Sequence, residues 1–360
     1  MPWRGFFLLN NISYSLNFQF IQPNDIMGNR RKDIYSGVIN MKDTYNRRVN
    51  YMRISITDLC NLRCIYCMPE EGICKKSHDD VLSFEEITEI VKVAADLGID
   101  KIRVTGGEPL VKNGIVEFIT SISRIDGIKD IAMTTNGILL DRYIEDLKEA
   151  GLKRVNISID SLNPERYKAI TRGGDINQVL KGIRKTIELG MTPVKLNVVV
   201  VGGYNEDEVE NFAKLTMDKD IEVRFIELMP LGEAAEWAKE SFVSNESIKK
   251  RIGNLIELPH KISSPAKYYQ LPNALGKIGF INPISDHFCS ECNRIRLTSD
   301  GKLKPCLHSN QEIDILKAVR TNPEVLREVL ESAILAKPQK HYLNTQGHEY
   351  VKRNMSQIGG

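Results

Sequence analysis

The chain has 360 residues, 42% hydrophobic and 27% charged, the balance of a soluble globular protein long enough to bury a full core. Its formal net charge of +2 supplies no bulk field for nucleic acid or an anionic membrane, so an anionic ligand must be met by locally placed Arg and Lys. Seven cysteines are too few and too odd for a disulfide scaffold, and no stretch is long enough for a transmembrane helix, so a reducing cytoplasm is the expected compartment.

Residues 1–40 have no clear period and read either as sequence upstream of the natural start or as a poorly ordered extension. From Tyr51 onward, short β-branched runs alternate with helical patterns. The strand candidates are Met52–Ile56, Lys101–Thr105, Ile131–Thr134, Arg154–Ile159, Val194–Val201 and Val223–Ile226. Between them Phe84–Leu97 has apolar residues on one helical face, a Ser83/Glu86 capping box at its start and Gly98 after its end. Asp141–Ala150 and Ile176–Leu189 are further helices that stop at glycine, and Asn205–Met217 opens with acidic residues that suit a helix start.

Six strand–helix units of this kind build an open parallel sheet or a barrel, with ligands at the C-terminal ends of the strands. Cys60, Gly106-Gly107-Glu108-Pro109, Thr135-Asn136-Gly137, Ser158, Asp160 and Met229 all fall at such ends. Beyond about Pro230 the pattern loosens. Asn322–Ala336 reads as a helix with Pro323 at its first position, Lys337–His341 as a solvated loop or a basic segment that shields phosphates, and Gln357–Gly360 as unable to pack into an element.

Six cysteines form two triads, Cys60, Cys64 and Cys67 (C-x3-C-x2-C) and Cys289, Cys292 and Cys306 (C-x2-C-x13-C), leaving Cys74 spare. A closed zinc or iron–sulfur site takes four protein ligands. Three thiolates on a four-iron cluster leave one iron open. At the first triad that iron suits the amino and carboxylate groups of S-adenosylmethionine, whose carbon–sulfur bond an electron can break to leave a carbon radical. Tyr66 lies between two ligands, and the glycines of the Gly-Gly-Glu-Pro run admit close approach of a ligand. At the second triad Arg294 and Arg296 alternate along a strand-like run, which suits a phosphate-bearing ligand beside an open metal site. Half a zinc site at the first triad, and a zinc knuckle completed by His287 or His308 at the second, stay open on spacing alone.

The first cluster loop and Gly-Gly-Glu-Pro resemble the radical S-adenosylmethionine superfamily, which implies an α/β fold with a partial (β/α)6 TIM-like barrel. Tyr51–Pro69, Arg103–Leu110 and Cys289–Leu307 together resemble the GTP 3′,8-cyclase family of molybdenum-cofactor (molybdopterin) biosynthesis, from about Met41 to the last residue. Leu59 stands where that family often has Arg. The resemblance divides the chain into the extension 1–40, the partial barrel 41–258 and a second-cluster region 259–360 with a Gly-Gly tail.

It implies two 4Fe-4S clusters, one on each triad. The first cleaves S-adenosylmethionine, and the resulting 5′-deoxyadenosyl radical takes the 3′ hydrogen of GTP. Closure onto C8 then gives 3′,8-cyclo-7,8-dihydro-GTP, while the second cluster holds the guanine. By matching position, Tyr66, Gly107, Ser158 and Met229 contact S-adenosylmethionine. Arg53, Arg103, Thr134, Lys195, Arg294, Ile295 and Arg296 contact GTP, with Lys101 a further phosphate contact. Gly359 and Gly360 reach into the active site. The family also implies a homodimer, an electron donor and a downstream cyclic pyranopterin monophosphate synthase that takes the product, with no nucleic-acid or membrane partner.

Overall fold

The computed structural model describes Ile34–Tyr35, Val38–Ile39 and residues 41–260, 262–341 and 350–359. The rest of the expected extension 1–40, and Gly360, lie outside the described residues. A short hairpin of β1 (Ile34–Tyr35) and β2 (Val38–Ile39) comes first. The chain then alternates through β3 (Tyr51–Ser55), α1 (Phe84–Asp96), β4 (Lys101–Thr105), α2 (Ile115–Ser123), β5 (Asp130–Thr135), α3 (Leu140–Glu149) and β6 (Arg154–Ser158). It continues through α4 (Pro164–Thr171), α5 (Ile176–Glu188), β7 (Val194–Val200), α6 (Val209–Lys214) and β8 (Ile221–Glu227). After it come α7 (Asn245–Ile252), β9 (Ile256–Glu257), β10 (Ala266–Gln270), β11 (Lys277–Ile281), β12 (Arg294–Leu297), β13 (Lys302–Lys304) and β14 (Ile313–Asp314). The last helices are α8 (Leu316–Thr321), α9 (Pro323–Leu335) and α10 (Met355–Ile358).

All six expected strands form and pair in parallel in chain order, β3 to β8. This is the strand order expected of a partial (β/α)6 barrel. The sheet also continues past both ends of that set. β12 adds in parallel to β3 and β11 in parallel to β8, and β13–β14 and β10–β9 complete the two edges in antiparallel fashion. Residues on both sides of position 259 therefore share one twelve-stranded sheet.

The core lies between sheet and helices. Met52, Ile54, Ile102, Val104, Met133, Val155, Ile157, Leu196 and Val223 pack there against Ile87, Ile90, Phe118, Ile144, Leu147 and Val179 of the helices. The Ser83–Glu86 capping box forms, as the sequence predicts. Two sequence expectations need correction. The helix expected over Asn205–Met217 runs over Val209–Lys214, because buried Asn205 is held in the preceding loop. Its amide donates to Asp160 O and Val199 O, and its Oδ1 accepts from the Val201 N–H. The chain end does pack. Asn354 and Gln357 form a capping box for the single turn α10, and Ile358 is buried with Leu231 and Val351.

Candidate active site

The first triad sits on the loop after β3, at the C-terminal ends of the strands. Gly107 brings the β4 loop against it. The Gly107 N–H donates to Thr57 O at 2.7 Å and the Glu108 N–H to Leu59 O at 2.9 Å. A Cβ on Gly107 would stand 2.4 Å from Leu59 O, so only glycine closes this contact. Glu108, wholly buried, then ties the next strand end. It accepts from the Thr135 hydroxyl at 2.7 Å and from the Asn136 and Leu110 N–H groups. Asn136 points back, donating to Cys60 Sγ at 3.7 Å and Asn61 Oδ1 at 2.8 Å. Tyr66 donates from its hydroxyl to buried Asp160 at 2.6 Å.

Burial pushes the Cys60 thiol up to about 11 and Cys67 to about 12. Burial followed by Cys67, Asp160 and Cys60 raises Cys64 as well. Burial also raises Asp160 to about 6 and Glu108 to about 7. An electron-poor metal is what would turn three such thiols into thiolates.

Below this end lies a polar lumen. In each strand, alternate residues face away from the helices: Tyr51 and Arg53, Lys101 and Arg103, Thr134, Arg154, Asn156 and Ser158, Lys195 and Asn197, Glu222 and Arg224, and Arg294 and Arg296. Register sets Arg296, Arg53 and Arg103 abreast on neighbouring strands. The Arg103 and Arg294 guanidiniums lie over the Tyr51 ring, 5.6 and 5.5 Å from its centroid. Lys195 is paired with Glu222, and Arg154 with Asp130.

Among the described residues no carboxylate pairs with Arg53, Arg103, Arg224, Arg294 or Arg296. Arg53 Nε, Arg103 Nε, Arg224 Nε and Nη2, Arg294 Nε, Thr134 Oγ1 and the side-chain amide of Asn156 are buried without a hydrogen-bond partner there. Burial pushes Arg103 and Arg296 down to about 10 and Lys195 to about 8. Burial and the neighbouring Arg296 and Arg103 lower Arg53 as well. Burial alone would raise the Tyr51 hydroxyl, yet Arg103, Arg53 and Arg294 outweigh it and bring it down. A crowd of buried cations is costly without counter-charge, and a polyanion is the compensating guest. The Ile295 side chain faces the core instead, so only its main chain borders the lumen.

The second triad closes the opposite end. Cys289 and Cys292 precede β12, which runs parallel to β3, and the Tyr51 N–H donates to Asn293 O at 3.2 Å. Cys306 follows antiparallel β13 and so returns to the same end. A five-residue strand spans roughly 16 Å, which sets the scale between the two triads. The sequence places Lys337 in a solvated loop. Its Nζ is instead buried, 3.3 Å from Cys292 Sγ and 3.2 Å from Pro305 O, and Arg47 binds the Pro338 and Gln339 carbonyls. Burial would raise the Cys292 thiol, but Lys337 and Arg294 bring it below its ordinary value.

The spacing of each triad's three sulfurs fits a multi-iron cluster better than a single zinc ion, although His287, Cys289 and His341 come together at single-ion spacing. Tetrahedral zinc would draw its thiolates to about 3.8 Å from one another. Among the described residues, the set of three His, Cys, Asp or Glu ligand atoms all within 4.8 Å of one another is His287, Cys289 and His341; neither triad is drawn in that tightly. His287 and His308 each stack edge-on against His341 at 4.7 Å.

The C-terminal tail meets the lumen from the first-triad side. Arg296 Nη1 donates to Gly359 O at 2.7 Å and Ile358 O at 3.2 Å. Gly359 has φ +70°, and a Cβ there would come 2.5 Å from Thr105 Cγ2. Met229 packs on the same apolar cluster as Ile358.

Comparison with known proteins decides the family. Residues 54–216 match the model of the Radical SAM superfamily, and 221–343 match Molybdenum Cofactor Synthesis C. The GTP 3′,8-cyclase of Alkaliphilus oremlandii (strain OhILAs) is 71% identical over 320 residues, covering 89% of this chain and all of the relative. The chain belongs to the GTP 3′,8-cyclase family. A second GTP 3′,8-cyclase, from Alkaliphilus metalliredigens (strain QYMF), is 64% identical over the same shares. In fold, the chain is similar to Streptococcus suis SuiB bound to S-adenosylmethionine, with TM-score 0.57 and 14% identity, over 89% of this chain and 78% of that one. It is also similar to anSMEcpe with bound AdoMet, with TM-score 0.52 and 16% identity, over 76% and 82%.

For a GTP 3′,8-cyclase family chain, sequence reasoning misses several residues of this site. It leaves Asp160 and Glu108 as strand-end residues without roles. Asn136 is likewise left as a strand-end residue, Lys337 is not placed beside a cysteine, and Arg154, Asn156, Asn197 and Arg224 are not singled out as site residues. The signal that could have found the lumen is the period of two: polar residues recur at every second position of strands otherwise rich in Val and Ile.

Proposed function

We propose that this chain is a GTP 3′,8-cyclase, which uses S-adenosylmethionine to convert GTP to 3′,8-cyclo-7,8-dihydro-GTP in molybdopterin biosynthesis. The observation that carries the reading is a lumen of buried arginines without carboxylate partners among the described residues, lying between two thiol triads at opposite ends of one sheet. In this proposal Cys60, Cys64 and Cys67 hold one 4Fe-4S cluster and Cys289, Cys292 and Cys306 another. The first, when bound, supplies the electron that opens the sulfonium of S-adenosylmethionine.

The protein's own work is placement. Tyr66, fixed by Asp160, walls the S-adenosylmethionine site with Gly107, Ser158 and Met229. Glu108 and Asp160 lend that end acidic neighbours, which suit a sulfonium. Arg53, Arg103, Arg294 and Arg296 neutralise the triphosphate, with Thr134, the Ile295 main chain and Lys195, once it shares Glu222, completing the GTP pocket. Lys101 stands at the start of β4 as a further phosphate contact. Binding GTP discharges the electrostatic cost of the lumen, so nucleotide and lumen order each other. Gly359 and Gly360 approach the reacting ribose, Gly359 because no side chain fits beside Thr105.

In domain terms, 41–258 supplies the barrel and 259–360 the second-cluster region, with 1–40 dispensable. A homodimer, an electron donor and a downstream cyclic pyranopterin monophosphate synthase complete the proposal. No helix among the described residues is long and apolar enough to cross a membrane.

The deciding experiment is anaerobic incubation of reduced, iron-loaded protein with S-adenosylmethionine and GTP, followed by chromatographic separation and fragmentation mass analysis of the nucleotide. A GTP isomer with a new ribose–base bond is the expected product; unaltered GTP alongside cleaved S-adenosylmethionine would refute the reading.

A further inference from the structure

Histidines crowd one cysteine of the second triad. Ligand atoms of His287, Cys289 and His341 all lie within 4.8 Å of one another. The His287 and His341 rings meet edge-on with centroids 4.7 Å apart, and His308 meets His341 at the same distance. The His341 main-chain N–H also donates to the Cys289 sulfur. Cys292 and Cys306 do not join this set. The Lys337 ammonium lies against Cys292 instead, at 3.3 Å, and a second cation is unwelcome there.

The arrangement is braced from outside. Arg47 is buried and paired with Asp43. It donates from Nη1 to Cys289 O at 2.7 Å and to Gln339 O at 3.0 Å, and from Nη2 to Pro338 O at 2.7 Å. Asp43 is itself fixed by accepting from the Tyr45 and Arg47 N–H groups. One guanidinium thus ties the loop that carries His287 and Cys289 to the loop that carries His341. His341 is buried, Cys289 half-buried and His287 exposed, so an ion can enter from the His287 side. Two imidazoles and one thiolate are the donor set of zinc, cobalt(II) or ferrous iron, with a fourth position left for water. Magnesium and calcium require oxygen ligands and do not suit it.

We propose that His287, Cys289 and His341 form a mononuclear site for a zinc-class divalent cation, and that an ion there excludes the second iron–sulfur cluster. The site itself stands on geometry; the exclusion rests on the cyclase reading above. Both occupants need the Cys289 sulfur. Binding the ion releases the thiol proton to solvent and takes the two imidazoles neutral. Zinc holds a thiolate at about 2.3 Å, which draws the sulfur toward the histidines and leaves the cluster one ligand short. The first triad lies at the other end of the sheet and is free to load. A zinc-bearing chain would therefore carry a first cluster without its partner, so the ratio of zinc to iron during assembly sets how much of the protein becomes competent.

The test uses the full chain before iron loading, under anaerobic conditions, with cobalt(II) as the optical probe and zinc as its competitor. Cobalt is expected to give a sulfur-to-metal charge-transfer band and the visible bands of a tetrahedral site, and zinc to displace it. Cys60→Ala and Cys306→Ala, which each cripple one triad, should keep that spectrum. Cys289→Ala should abolish it. His341→Ala and His287→Ala should weaken cobalt binding roughly tenfold or more, since even an outer partner of a metal ligand carries that much. A spectrum lost in Cys306→Ala but kept in His341→Ala would put the ion on the triad and overturn the proposal, as would a wild-type chain that binds no cobalt. In a second arm, wild type preloaded with zinc should reconstitute to about four irons rather than about eight, while His341→Ala treated in the same way reaches about eight. Equal iron in the two zinc-treated proteins would refute the exclusion. A zinc-free wild type that takes only about four irons would refute the second cluster of the parent reading, and the cobalt spectra would still judge the mononuclear site.

Discussion

The two cysteine triads are built from the same ligand type in opposite electrostatic surroundings. Around Cys60, Cys64 and Cys67 the buried charged neighbours include the carboxyls of Glu108 and Asp160, and burial lifts all three thiols. Around Cys292 stand Lys337 and Arg294, and the thiol is lowered against its burial. Arg296 lies close enough to lower Cys306, though burial still leaves both that thiol and Cys289 raised. Spacing motifs alone would rank the triads as equivalents. Their neighbours separate them: a cationic sulfonium belongs at the acidic end and a polyphosphate at the basic end, so the field along one short barrel orients two substrates toward each other.

The sharpest way to break this division of labour is to remove one ligand of the basic end. Cys306→Ala should lower reconstituted iron from about eight to about four per chain. Cyclisation should be lost, while some cleavage of S-adenosylmethionine persists. Undiminished cyclisation would show that the second triad has no part in the reaction. Next in size, Arg53→Met removes a lumen cation that no carboxylate among the described residues satisfies. A lost charge-assisted contact of about 1.5–3 kcal/mol predicts a roughly ten- to hundredfold fall in kcat/KM for GTP, and the iron spectrum should not change. Bleaching of the first cluster would assign Arg53 elsewhere.

A smaller effect is expected from Lys337→Met. The ammonium beside Cys292 stabilises extra electron density on that sulfur, so its loss should lower the reduction potential of the second cluster and leave the first unmoved. Equal shifts at both would erase the contrast between the ends.

The mildest test needs no iron. Asp160 has its folded value raised from 3.8 to about 6 by burial. The folded state therefore holds this proton more tightly than the unfolded state, and its contribution falls as pH rises through that window, by on the order of 3 kcal/mol. Asp160→Asn can still accept from the Val199 N–H and donate to Tyr66, so the difference in denaturant stability between variant and wild type should grow from pH 4 to pH 7. A flat difference would mean that Asp160 is solvated.

Much of this was legible in the sequence, for physical reasons. Parallel strands buried on one face keep β-branched runs, so all six were found within a few residues. The Ser83 and Asn322 caps form because their side chains can satisfy backbone N–H groups locally. The cysteine triads were legible because ligand spacing in a short loop is a local constraint.

What escaped was non-local. Lys337 is brought to Cys292 only by the packing that follows α9. Arg353 finds Asp300 and Glu312 only once β13 and β14 have folded back. The tail looked unpackable because Ile358 needs Leu231, on the far side of the chain, to bury it. The polar lumen was visible as alternation but read past, because the apolar partners of the same strands matched a buried sheet.

One feature of the sheet sets a timetable. β3 is hydrogen-bonded on its outer side by β12, whose residues come last among the eight parallel strands. On a ribosome adding roughly 5–20 residues per second, the bare edge of β3 waits on the order of ten seconds or longer for its neighbour. During that wait it is an open template for any extended chain nearby. The strand that delivers Arg294 and Arg296 to the nucleotide is thus also the seal on the nascent barrel, and a polypeptide truncated before it would be prone to clump rather than simply to lack activity.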